Sequence, residues 1–154
     1  MNILKNIKKK IIKLKKIHYK LNKKINLISK NSLKNFYISH IKYSLSIINI
    51  IKFLPYSEIM DAGTGGGFPG IPLAIIFNKT KFYLVDSKKK KIFFLKKIIK
   101  KLNLKNIILI NNRIEKINKK FDFIISRFLS KVDNIYFLFK IILRINQFII
   151  LKME

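Results

Sequence analysis

All five glycines of the 154-residue chain lie between positions 63 and 70, in the string Asp61-Ala-Gly-Thr-Gly-Gly-Gly-Phe-Pro-Gly70. Glycine at this density marks a backbone that takes up positive φ or comes very close to a ligand. Pro69 or Pro72 is placed to open a helix just behind it, where proline's missing N–H costs nothing. In an open α/β sheet the first strand-to-helix turn is where ligands collect. The spacing narrows the choice of ligand. A dinucleotide fingerprint, G-x-G-x-x-G, started at Gly63 and Gly65 needs a glycine where Phe68 stands, and no Gly-Lys-Ser/Thr follows to make a Walker loop. What stands instead is Gly63, Gly65 and Gly67 behind an acidic residue, a G-x-G-x-G loop with no phosphate-binding lysine. Such a loop suits a cofactor without phosphates, such as S-adenosylmethionine. Asp86, 23 residues after Gly63 at the end of the next β-rich run, is spaced to accept both ribose hydroxyls of an adenosine.

Other chemistry is excluded by composition. There are no cysteines, so disulfides, thiolate metal sites and cysteine nucleophiles are ruled out. The two histidines, His18 and His40, are far apart in sequence, and no metal site is expected. Lys and Arg total 34 against 7 acidic residues, for a net charge of +27, which attracts polyanions such as nucleic acid. The charge is weak evidence taken alone. Ile, Lys and Asn make up 33, 31 and 15 residues, all encoded by A/T-rich codons, and only 3 of the basic residues are Arg. No apolar run approaches the roughly 18 residues of a membrane span, and no secretory signal is visible. A soluble, cytoplasmic protein is expected.

These groups must be held by a particular order of elements. Residues 1–57 contain no acidic residue and no glycine. Leu4, Ile7, Ile11, Leu14, Leu21, Ile25 and Ile28 recur at helical steps, with His18 filling the one gap, which predicts an amphipathic helix packed on the domain. A second helical stretch is predicted from about Leu33 to Phe53, ended by Pro55. From residue 58 onward β-rich runs alternate with lysine-studded helical segments at 88–102 and 132–144. Glu58–Asp61, Phe82–Asp86, Ile107–Ile110, Phe121–Ser126 and Phe148–Leu151 read as five strands. This alternation predicts an α/β fold with a parallel sheet and helices on both faces. The expected organisation is a single domain over 1–154, with a basic helical N-terminal extension (1–54) and an α/β cofactor-binding core (55–154).

The same residues resemble a known family. Asp61-Ala-Gly-Thr-Gly-Gly-Gly-Phe-Pro-Gly-Ile-Pro-Leu-Ala74, Leu84-Val-Asp-Ser87 with Lys90 and Lys91, Arg113-Ile-Glu115 and Phe121-Asp-Phe-Ile-Ile-Ser-Arg127 are similar to motifs of the RsmG (GidB) methyltransferases. Upstream, Asn26-Leu27-Ile28-Ser29 and His40 with Ser44 fall where that family has similar short motifs. The resemblance spans roughly residues 15 to 152. It implies a Rossmann-like methyltransferase fold with S-adenosylmethionine as cofactor, and methylation of N7 of a guanine in 16S ribosomal RNA. It implies cofactor contacts at Gly63, Phe68, Ile114, Glu115 and Arg127, beside the Asp86 read from spacing. His40, Arg127 and Phe128 are the candidate substrate contacts, and the implied partner is 16S ribosomal RNA or the small ribosomal subunit.

The chemistry agrees with what the chain lacks. Guanine N7 carries a lone pair and no proton, so methyl transfer to it needs positioning and electrostatics and no general base. Methylation at cytosine C5 uses a cysteine, and there is none. Exocyclic amine methylation commonly uses an Asn/Asp-Pro-Pro-aromatic motif, where this chain reads Ile125-Ser126-Arg127-Phe128. Tyr43 and Ser39 depart from the family's usual residues before Ser44 and His40. The family's sheet typically continues past a fifth strand, so a shortened sheet of order 3-2-1-4-5 is expected, its last edge covered by the N-terminal helices or another chain. The alternative function is a non-catalytic RNA-binding or ribosome-associated module that keeps the fold.

Overall fold

A computed structural model describes residues 3–51, 53–127, 143 and 148–151. Strands β1 (Glu58–Ala62), β2 (Lys81–Val85), β3 (Ile107–Ile110), β4 (Phe123–Arg127) and β5 (Phe148–Leu151) form one parallel sheet in the order β3-β2-β1-β4-β5. Phe121, expected to begin the fourth strand, instead makes an isolated parallel bridge with Leu143. The expected 132–144 helix lies outside the described residues, apart from Leu143.

Side chains alternate across the sheet as strand geometry requires. Ile59, Phe82, Leu84 and Ile125 point into the larger core, and Met60, Ala62, Tyr83, Val85 and Ile124 into a smaller one with Ile117, Phe121 and Leu143. The larger core is closed by α4 (Gly70–Ile76) and α5 (Lys89–Leu102), which follow β1 and β2 in the chain. Helix α1 (Ile3–Asn22) packs against both of them, burying Ile11, Leu14, Ile17, His18 and Leu21. The N-terminal residues therefore share one core with the sheet.

The apolar stripe outlasts the helix that it predicts. α1 ends at Asn22, whose side-chain oxygen accepts the amides of Leu27 and Ile28 while its nitrogen donates to the Ile28 carbonyl. Ile25 and Ile28 are thereby carried inward on a turn. The predicted single helix from Leu33 to Phe53 is a chain of short pieces: α2 (Lys30–Lys34), a π-helical turn (Tyr37–Lys42), α3 (Tyr43–Leu45) and a 3₁₀ turn (Ser46–Asn49). A π turn is wider than an α turn and recurs at functional sites. Here it buries the neighbours His40 and Ile41 together.

The passage from β1 into α4 leaves no room for a side chain at Gly70. Pro69 is the residue that caps α4, and Pro72 sits in its first turn, where a missing amide hydrogen is also tolerated. A Cβ added at Gly70 would lie 2.6 Å from Asp61 Oδ2 and 2.9 Å from Leu84 Cδ1, both buried. The Gly70→Ala variant is expected to lose about 1–3 kcal/mol of stability, as overpacking typically costs. Urea unfolding followed by circular dichroism checks this, and an unchanged midpoint would contradict it.

Candidate active site

Asp61, next to last in β1, has a fully buried carboxylate. Its Oδ2 accepts the Thr64 hydroxyl at 2.7 Å and the Gly70 amide at 2.8 Å, and so ties both ends of the glycine loop to the strand. Its Oδ1 has no hydrogen-bond partner among the described residues. Burial pushes the Asp61 carboxyl up to about 6, against the bonds from Thr64 and Gly70 and the charge of Arg127.

The loop's amides are mostly committed within the chain. Thr64 N–H donates to the Val85 carbonyl, Gly67 and Phe68 donate to the Thr64 carbonyl, and Ile71 donates to Gly67. Gly65 N–H donates to Asp86 Oδ2 at 3.1 Å. Gly67 holds φ +91°, a conformation that a side chain resists. This is a loop folded against its own strand ends rather than opened as a nest for phosphate oxygens.

Two hollows meet at Gly63. One, of about 520 Å³, is lined by Gly63, Asp86, Ser87, Arg113, Ile114 and Glu115 among others. Asp86 sits in it with Oδ1 on the Lys88 amide, 2.9 Å, and Oδ2 3.3 Å from Lys91 Nζ. The carboxylate also supplies an anion at the start of α5, whose first turn holds lysines and no acid. Asn111 fixes the loop behind it by donating to the Asp86 and Ser87 carbonyls.

The other hollow, of about 360 Å³, runs from Gly63 past Gly66 and Phe68 to His40, Arg127, Ser29 and Ser32. Phe68 is its buried wall. His40 stacks on that ring at 4.3 Å between centroids, and the Arg127 guanidinium lies 5.6 Å from the ring centre. Arg127 Nη1 donates to His40 Nδ1 at 3.1 Å and to the Ser39 carbonyl at 3.2 Å. Burial first, then the charge of Arg127 and, least, the electrostatic influence of His18, push His40 down to about 3. Burial also lowers Arg127, with Asp61 and Tyr43 acting in the opposite direction.

The expected site residues thus fall into two groups that share Gly63. Gly63, Asp86, Ile114 and Glu115 surround one hollow, and Gly63, Phe68, Arg127 and His40 the other. Phe128 lies outside the described residues. Sequence reasoning missed the part played by His18. Its Nε2 lies 2.8 Å from the Gly66 carbonyl and its ring 5.0 Å from Phe68, so α1 is fastened directly to the glycine loop. The signal was present, since a lone polar residue on a buried helical stripe needs a partner inside. Asp61 and Thr64, which shape the loop, carry no such signal beyond their place beside the glycines. Among the described residues, no group of three or more His, Asp or Glu is placed to hold a metal ion, and no helix is long and apolar enough to cross a membrane.

Comparisons with known proteins agree with this architecture. Residues 7–154 match the model of the GidB family, described as rRNA small subunit methyltransferase G. The ribosomal RNA small subunit methyltransferase G of Karelsulcia muelleri is 64% identical over 88 residues, covering 57% of this chain and 42% of that protein. The protein of the same name from Flavobacterium johnsoniae is 43% identical over 122 residues, covering 79% of this chain and 58% of its own. The chain spans about half the length of these curated relatives. Among solved structures, precorrin-6y C5,15-methyltransferase of Geobacter metallireducens superimposes with a TM-score of 0.60 at 11% identity, over 82% of this chain and 64% of that one, which shows a shared fold.

Buried groups around the loop give the protein a specific acid response. His40 takes up a proton far less readily folded than unfolded, so stability is lost as pH falls from 6.5 toward about 3. The His18 shift has the same sign. Asp61 opposes them: its penalty is present above about 6 and is relieved as pH falls toward 3.8. Two histidines against one carboxyl leave a net loss on acidification. Urea midpoints at pH 7 and pH 4.5 should fall in the wild type and fall less in His40→Phe; equal falls would refute the assignment.

Proposed function

Because the chain belongs to the GidB family of rRNA small subunit methyltransferase G proteins, we propose that it methylates N7 of a guanine in 16S ribosomal RNA, with S-adenosylmethionine as methyl donor. The observation that carries this reading is the pair of hollows joined at Gly63 behind a loop whose amides are mostly already bonded. A dinucleotide or nucleotide triphosphate needs those amides for its phosphates. An adenosyl group needs a carboxylate for its ribose and an apolar wall for its base, which Asp86 and Ile114 supply with Glu115 as a further acceptor. When bound, S-adenosylmethionine supplies a methyl group activated on a sulfonium. Phe68 and Arg127 shape the neighbouring hollow, where the base to be methylated would sit. No side chain is asked to remove a proton, in keeping with an N7 lone pair that is free at neutral pH.

The RNA-binding surface follows from charge and placement. Lys8, Lys9, Lys13, Lys16, Lys20, Lys23 and Lys24 are exposed on or just after α1. Lys23 and Lys24 line a further hollow with Lys88, Lys90 and Lys91. Lys91 also borders both site hollows, so the basic surface leads to the site. Phosphate contacts of this kind position a nucleic acid without reading its sequence. On this reading the chain acts as one methyltransferase domain, its N-terminal 1–54 joined to the 55–154 core, in the cytoplasm on the small ribosomal subunit or its RNA.

Methyl transfer to small ribosomal subunits lacking the modification, with mapping of N7-methylguanine, tests the function. Absence of transfer together with absence of S-adenosylmethionine binding by calorimetry would sink it. Replacing Asp86 by Asn should weaken S-adenosylmethionine binding about 10- to 100-fold, the usual loss of a hydrogen bond to a charged group. Lys→Ala changes between 8 and 24 should leave that affinity alone. They should weaken RNA binding and lower its salt slope by about 0.7 to 0.9 for each phosphate that is no longer neutralised. Equal effects of both sets on cofactor affinity would contradict this division of labour.

A further inference from the structure

His40, which lines the second hollow, carries a buried donor with no partner among the described residues. Arginine can only donate hydrogen bonds, so the 3.1 Å contact from Arg127 Nη1 makes His40 Nδ1 an acceptor. A neutral imidazole that accepts at Nδ1 carries its proton on Nε2. That Nε2–H is buried, 2% of the residue being exposed, and has no partner among the described residues. Natural structures rarely leave a buried donor unsatisfied, and such groups call for an explanation. The ring is fixed on both sides, by the Phe68 stack and by Arg127, and His40 lines the hollow with them.

We infer that His40 is a specificity residue, whose Nε2–H, held in that tautomer by Arg127, donates to the exocyclic oxygen next to the attacked nitrogen and so selects guanine over adenine. The inference rests on the proposed N7 methylation. On the edge that carries N7, guanine shows an acceptor, O6, and adenine shows an amine donor. A fixed donor satisfies the first and faces the second donor to donor. The arrangement also assigns the kinetic constant affected. Methylation at N7 makes the base cationic and O6 a poorer acceptor, so this bond is no stronger in the transition state than in the bound substrate. It contributes to KM and not to kcat.

The test uses the full chain and 16S ribosomal RNA in small subunits carrying either guanine or 2,6-diaminopurine at the methylated position. Diaminopurine keeps N7 and places an amine where O6 was. The wild type should prefer guanine about 10- to 100-fold in kcat/KM, and in RNA affinity measured without cofactor, as expected when a buried donor loses its acceptor. His40→Phe preserves the stack on Phe68. It should raise KM for the guanine RNA by a similar factor with kcat nearly unchanged, treat the two RNAs alike, and bind S-adenosylmethionine as the wild type does. His40→Gln, which can accept from Arg127 and donate into the hollow, should recover most of the preference. Nitrogen-15 shifts of the His40 ring should show the proton on Nε2. Continued discrimination by His40→Phe, a loss confined to kcat, loss of cofactor binding, or a proton on Nδ1 would each overturn the inference. A wild type that binds S-adenosylmethionine but methylates neither RNA would overturn the proposed function, and this inference with it.

Discussion

A single buried carboxylate organises the site. Asp61 holds the Thr64 hydroxyl and the Gly70 amide on one oxygen, and with them the loop that separates β1 from α4. An unpaired anion in this position would be costly, and the chain meets the cost in part through these two bonds and the charge of Arg127. Glycine at position 70 follows directly, because any side chain would displace the carboxylate from its partners. The same fold of the loop commits the Gly65 amide to Asp86, joining the ends of β1 and β2. The hollows on either side of Gly63 are a consequence of where this loop is pinned.

The N-terminal segment is part of that construction. His18 reaches the Gly66 carbonyl from α1, Ile28 lies against the Gly66 Cα, and Phe36 and His40 pack edge-on and face-on around Phe68. A basic helical arm would be free to bind RNA and detach. This one supplies a wall of the hollow, so the surface carrying its lysines is held at a fixed distance from the loop. On the proposed function, positioning of a polyanion by exposed lysines and recognition of a base in a buried hollow would thereby be mechanically linked.

Much of this was legible in the sequence, for identifiable reasons. Glycine crowding at 63–70 and the acid at 86 report backbone requirements that no other residue types meet, so the loop and the carboxylate after β2 emerge directly. The five strands follow from short β-branched and aromatic runs, with ends displaced by a residue or two. The segment from 30 to 49 was not legible, because a π turn and an α turn share the same residue types and differ only in which neighbours face inward. Asn22 could not be recognised as the residue that turns the chain, since asparagine is abundant throughout. Arg127 was reached through the family resemblance, but its bond to His40 joins residues 87 apart in sequence. Contacts of that range are set by the sheet order and not by local pattern.

The contrast between the surface and the interior sharpens the meaning of the charge. A net +27, carried mostly by lysines, is a solvated field whose strength falls with salt. Arg127 is different in kind. It is buried, set over the Phe68 ring, bonded to a backbone carbonyl and to an imidazole, and close enough to Asp61 to feel its charge. Desolvating a guanidinium is costly unless its donors are used in place, so Arg127 reads as a structural cation that fixes the orientation of its neighbours. On the inference drawn above, its influence on a bound base would pass through His40, whose neutral ring brings direction without adding charge. On the proposed function, such a site suits a base recognised as uncharged and released as a cation, because among the described residues no carboxylate lines the His40 hollow to hold the product back.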